Sequence, residues 1–221
     1  MKVKKFILSC VAVFAVSSVC AQGPDYTQWY VQGHVGGQYT LGESSFGKLM
    51  SPNVLLGGGY TFNDLYGARF SLNAWQSCAG QADQAWNWKY VAPSIDGTFN
   101  ITNYFGFDQP RLPIDILAIA GFGLNIAFDN DQAATANENL RTFYSKDGNY
   151  PGDVLEDIWT GTKAFLNFHF GLAGDYRFND RWSVGIEVQS VAISDKYNSK
   201  KGTNLDWYFN ATAGVKYFFN D

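Results

Sequence analysis

The sequence predicts an all-β chain: an eight-stranded antiparallel up-and-down barrel that crosses a membrane with its strands. Three observations predict it. Apolar and polar residues alternate with period two in eight separate runs, each about 10 residues long, the length a tilted transmembrane strand needs. Aromatic residues reach 17% of the 221 residues, with 23 Gly, whereas charged residues stop at 16%, well below the roughly 25% of soluble domains. Mean hydropathy is nevertheless -0.18, so the apolar residues are diluted along the chain and not gathered into helical membrane spans. The aromatic content excludes disorder. A net charge of -4 argues against a nucleic-acid partner.

Residues 1–21 read as a secretory signal. Lys2, Lys4 and Lys5 form its basic start, and the apolar stretch from Phe6 to Val16 is too short to span a bilayer. Small residues at Val19-Cys20-Ala21 place the cut after Ala21, leaving residues 22–221 as one barrel domain. Lipoprotein cleavage ahead of Cys20 is the rival, and Val19 fits it poorly. Without the three lysines, 13 basic residues face 20 acidic ones, a net charge of -7. Cys78 then stands alone and forms no internal disulfide; it reads as a polar-loop thiol without function.

The strands follow in order. The first, over 28–40, sets Trp29, Val31, Val35 and Tyr39 against Gln32, His34, Gly36 and Gln38. The second, over 53–62, sets Val54, Leu56 and Tyr60 against Gly57, Gly59 and Thr61. In the third, Tyr66, Ala68, Phe70, Leu72 and Ala74 oppose Gly67, Arg69, Ser71 and Asn73. In the fourth, Val91, Ile95, Phe99 and Ile101 oppose Tyr90, Ser94, Asp96, Thr98 and Asn100; Pro93 inside it calls for a β-bulge. The fifth has Ile116, Ala118, Ala120, Phe122, Leu124 and Ile126 against Asp115, Gly121, Gly123 and Asn125, with Leu117 and Ile119 on the polar side. The sixth has Leu166, Phe168, Phe170, Leu172 and Tyr176 against Asn167, His169, Gly171, Asp175 and Arg177. The seventh alternates Trp182, Val184, Ile186 and Val188 with Ser183, Gly185, Glu187 and Gln189. The eighth alternates Phe209, Ala211, Ala213, Val215 and Tyr217 with Tyr208, Asn210, Thr212, Gly214 and Lys216.

A repeat marks the ends of even-numbered strands: Tyr60-Thr61-Phe62-Asn63-Asp64, Tyr176-Arg177-Phe178-Asn179-Asp180 and Tyr217-Phe218-Phe219-Asn220-Asp221, with a weaker echo at 99–103. Connections on that side are short (63–65, 102–110, 179–181), and those opposite are long (41–52, 76–89, 129–163, 195–204). Short periplasmic turns and long external loops are the asymmetry of an outer-membrane barrel, which puts both termini in the periplasm.

A soluble barrel would turn the apolar face inward and a membrane barrel turns it to lipid. Eleven or so rings on that face would crowd an eight-stranded lumen, whereas the Gly-, Ser-, Asn- and Thr-rich face fits one. The lumen then holds Asp96, Asp115, Asp175 and Glu187 beside Arg69, Arg177 and Lys216. Charges so confined should pair into a hydrogen-bonded plug, with Arg69 and Asp96 as neighbours on adjacent strands. His34 and His169 share this face without metal-ligand spacing and read as satisfied lumen residues. In the longest loop, Asp131 is placed to cap a short helix running to Arg141, and Tyr150 and Trp159 are the residues offered to a surface ligand.

On these residues the chain resembles the OmpA-like eight-stranded outer-membrane β-barrel family, over nearly all of 28–219. The most specific piece is the last strand, 212–219, where Thr212, Gly214, Tyr217 and Phe219 look like the family's assembly signal; Asn220 and Asp221 extend beyond its usual last aromatic. Residues 90–96 with 99–103 are similar to the fourth strand of some members. The resemblance implies recognition by the barrel assembly machinery and contact with outer-membrane lipids and lipopolysaccharide. Larger members also carry a peptidoglycan-binding domain, and tethering to the cell wall is not among the expectations carried over to this chain. The expected role is a structural outer-membrane barrel of a Gram-negative envelope, not an enzyme and without cofactor or metal. A narrow passive pore and a lipid- or peptide-hydrolysing barrel are the alternatives.

Overall fold

A computed structural model describes residues 27–106, 113–145, 154–200 and 204–219; the leader and Tyr150 lie outside them. Eight strands, β1 (Gln28–Thr40), β2 (Met50–Thr61), β3 (Tyr66–Gln81), β4 (Gln84–Asn100), β5 (Ile114–Phe128), β6 (Lys163–Arg177), β7 (Trp182–Ile193) and β8 (Asp206–Phe219), run in sequence order around a closed antiparallel barrel. Closure is made by β1 against β8, from Trp29↔Phe219 to Thr40↔Tyr208. One helical turn, α1 (Ile101–Tyr104), follows β4, and a longer helix, α2 (Gln132–Ser145), lies between β5 and β6.

Alternation sorts the side chains as a membrane barrel requires. Val35, Leu56, Ile95, Phe122, Phe168 and Ile186 each expose more than half their surface on the outer wall, whereas Gln32, Arg69, Asp96, Asn125, Glu187 and Lys216 are buried inside. A contiguous apolar exterior of this extent has no stable place in water and is what a hydrocarbon surround demands.

The repeated strand-end motif has one geometry at two sites. Asn63 Oδ1 accepts from the amides of Leu65 and Tyr66 at 2.9 and 2.7 Å. Asn179 Oδ1 accepts from Arg181 and Trp182 at 2.9 and 2.8 Å. The side chain completes the tight turn that the backbone alone would leave open.

Four details differ from the sequence reading. Pro93 creates no bulge: β4 keeps a single register against β5 on both sides of it, Val91↔Ile126 and Ser94↔Gly123, and the ladder skips Ala92 and Pro93. A missing N–H is thus accommodated as a gap in hydrogen bonding, with no residue inserted. The segment 76–89, read as a loop, is the outer part of the β3–β4 hairpin, paired as far as Gln81↔Gln84. Its alternation is there, but polar Gln, Ser and Asn flank Trp86 and Trp88, so it reads as a loop. Cys78, expected in a polar loop, is buried in this hairpin. Finally, α2 runs to Ser145, one turn past Arg141.

The hairpin turn has Ala82 at φ 49°, a left-handed conformation that disfavours any residue with a Cβ. Ala82→Gly should therefore stabilise the protein by about 0.5–1 kcal/mol, read as a higher urea midpoint in detergent-refolded samples.

Candidate functional site

The lumen and the long-loop mouth above it hold the candidate site. Arg69 on β3 sits directly across from Asp96 on β4, and its Nε donates to Asp96 Oδ2 at 2.7 Å. Its two terminal nitrogens cross the barrel to β7, donating to Glu187 Oε2 and Oε1 at 2.7 and 2.9 Å. All three side chains are almost wholly buried. The planar guanidinium fork is what permits this; a lysine offers only a point charge. Gln189 Nε2 donates to Glu187 at 2.8 Å, and Ser71 Oγ to Asp96 at 3.0 Å. Together these form a charged strut between opposite walls.

His169 on β6 places Nε2 2.6 Å from Asp96 Oδ1, beneath which Gly121 leaves the room: a Cβ there would lie 2.5 Å from that oxygen and 2.7 Å from the imidazole nitrogen. The other ring nitrogen is 3.0 Å from Asn167 Oδ1. Asn167 donates to Asn125 at 2.7 Å, and Asn125 donates to the hydroxyls of Tyr197 and Tyr208 at 3.1 and 3.0 Å. A second cluster beside it joins Asn53, Asn73 and Gln38 through the Tyr90 hydroxyl. His34 is a correction to the sequence reading: it is buried, yet neither ring nitrogen has a hydrogen-bond partner among the described residues.

Toward the short-turn end, Lys216 pairs with Asp175 and lies 4.9 Å from the Tyr30 ring. Asp115 accepts from Asn100 at 3.0 Å and stands 3.7 Å from Arg177, whose guanidinium covers the Phe218 ring at 4.1 Å. These groups line a small vestibule at the short-turn end. Of the other residues singled out in the sequence, Thr212 and Lys216 face inward and are buried. Gly214 packs tightly against the backbone at Gly33 and His34. Tyr217 and Phe219 meet edge to face at 5.1 Å in the aromatic band that also holds Trp182.

The long-loop mouth is closed by an apolar core that sequence reasoning missed. Trp86 and Trp88 of the hairpin, Leu140 of α2, Leu155, Trp159 and Tyr197 come from four separate stretches and are all buried together. Trp159 Nε1 donates to the Tyr197 carbonyl at 3.2 Å, and Trp86 Nε1 to that of Asn198 at 3.1 Å. Asn137 of α2 holds the amides of Val154 and Leu155 at 3.1 and 3.0 Å. Trp159, expected to be offered to a surface ligand, is instead buried in this core. Burial in this cap pushes the Tyr197 hydroxyl up to about 12.

No family model matches the chain, and no curated protein does. Among solved structures, the Neisserial surface protein A resembles it with a TM-score of 0.52 at 12% identity, covering 86% of this chain and 97% of that one. The outer membrane protein OprG from Pseudomonas aeruginosa gives 0.52 at 12% identity, covering 91% and 100%. The fold is thus that of these outer-membrane barrels.

One outcome is expected. Arg69→Ala strands two buried carboxylates and should cost about 3–5 kcal/mol. In a double-mutant cycle with Glu187→Ala, the two losses should fall short of additivity by at least about 1 kcal/mol, measured by urea titration.

Proposed function

We propose that this chain is an integral outer-membrane protein of a Gram-negative envelope with a structural role. Both termini face the periplasm, and the rigid loop cap is presented at the cell surface. One observation carries the reading: an apolar exterior encloses a lumen crossed by the Arg69–Asp96–Glu187 strut and roofed by the Trp86, Trp88 and Trp159 core. Such a barrel holds its place in lipid without offering a continuous water path, which weighs against the passive-pore alternative. The hydrolase alternative needs an acid–base pair that a substrate can reach. His169, the best candidate base, is buried below the cap with Nε2 held on Asp96. The last strand, with Thr212, Gly214, Tyr217 and Phe219, serves as the signal for the assembly machinery. Lipopolysaccharide surrounds the outer rim, and any surface ligand meets the exposed side of the cap.

Purified protein should migrate on a gel as a compact band that shifts only after boiling. In planar bilayers it should give no reproducible conductance steps. Regular steps that disappear with the inserted protein would overturn the sealed lumen. A chain that stays soluble without detergent would overturn the membrane reading itself.

A further inference from the structure

The connection from β4 to β5 is built unlike the other two short turns. Its residues Asn100 to Gly106 carry a helical turn, α1, in place of an Asn-closed reversal. Asn100 caps it, accepting from the Asn103 amide at 3.0 Å. Asn103 Nδ2 donates to the Asp64 carbonyl at 2.8 Å, and the Asn100 amide donates to the Leu65 carbonyl at 2.8 Å. Buried Thr102 accepts from the Ile116 amide at 2.8 Å. The turn is thereby bolted to its neighbours on both sides, to the β2–β3 turn and to β5. Side chains that point away from the barrel here are held in place.

Two of those side chains are aromatic. Tyr104 and Phe105 are 61% and 63% exposed. They continue a file of rings from the outer wall: Tyr66 to Phe99 at 5.4 Å, Phe99 to Tyr104 at 5.4 Å and Tyr104 to Phe105 at 5.1 Å. Tyr66 and Phe99 are the last outward rings of β3 and β4, so the apolar band runs without a break past the strand ends. Fixing two large rings in water gains nothing, and their chemistry suits the layer where acyl chains meet headgroups. There an apolar ring and a hydroxyl are both satisfied. A second protein is a poorer occupant, since two rings offer far less than the roughly 800 Å² per partner of a stable interface.

We propose that α1 is a membrane foot: Tyr104 and Phe105 rest in the glycerol-ester layer of the leaflet at the short-turn end, with phospholipid as the partner. The foot extends the barrel's lipid contact on one side only. It therefore biases the tilt and depth of the barrel, which matching of the apolar band alone leaves loosely set. The inference rests on the membrane reading above, and the test separates the two.

In protein purified from exporting cells and carrying Cys78→Ala, a bimane fluorophore is attached at Tyr104→Cys, at Ile95→Cys on the outer wall, or at Asp83→Cys on the hairpin tip. Each is placed in phosphatidylcholine vesicles. Lipid brominated near the ester end of its chains should quench the Tyr104 label more than lipid brominated near the chain terminus. Iodide should quench it several-fold less than the Asp83 label. If iodide quenches the Tyr104 and Asp83 labels alike while brominated lipid quenches the Ile95 label, the foot is wrong and the membrane barrel stands. If the Ile95 label too is untouched by lipid, the membrane reading fails. Shielding of the Tyr104 label that depends on protein concentration, with no lipid quenching, would assign the turn to a second copy and overturn the proposal.

Discussion

An eight-stranded wall leaves room inside for little more than one layer of side chains, and any charge placed there must meet its counter-charge within that layer. The Arg69 guanidinium meets this constraint. It reaches Asp96 on the adjacent strand and Glu187 on the far wall, so one side chain bonds two acids and braces the barrel across its width. The lumen is also shaped around it. Gly121 is small because Asp96 and His169 meet above it, and Gln189 and Ser71 take up carboxylate lone pairs that the arginine leaves.

From the strut outward, the lumen is graded. Ion pairs occupy the short-turn half, where Lys216–Asp175 and the Arg177–Asp115 contact border the vestibule. Neutral amides and tyrosine hydroxyls fill the other half, and indoles close the mouth. The grading has an electrostatic sense: the buried charges are each matched by an opposite charge within the lumen, and the parts farthest from the vestibule are held by neutral hydrogen bonds and apolar contact. His169 joins the two regimes through Asn167 and Asn125 to Tyr197, so a disturbance of the ion cluster has a hydrogen-bonded route to the cap.

The strands and the inside-out arrangement were legible because period two and a narrow lumen together force them. Even the awkward Leu117 and Ile119 point inward as their parity requires, with Ile119 buried. The Arg69–Asp96 contact follows from adjacency of β3 and β4. Glu187 was visible as a lumen acid, but its partner was not, because a contact across the barrel depends on closure and on side-chain reach that no local pattern encodes. The cap was illegible for a related reason: Trp86, Leu140, Trp159 and Tyr197 are far apart in sequence and share no period. Trp159 alone in a long loop looks like a binding residue. Only with α2 and the extended hairpin in place does it become a core residue.

The central claim is that Arg69 is locked, dry and doubly paired inside the barrel. Nuclear magnetic resonance of the reconstituted protein tests it through the exchange of the Arg69 side-chain Nε proton with water. The account predicts an Nε–H signal that persists in rapid water exchange, where that of the exposed turn residue Arg181 is lost, and that moves when Glu187 is replaced by Gln. An Arg69 proton exchanging as fast as that of Arg181 would show a hydrated, open lumen and contradict the account.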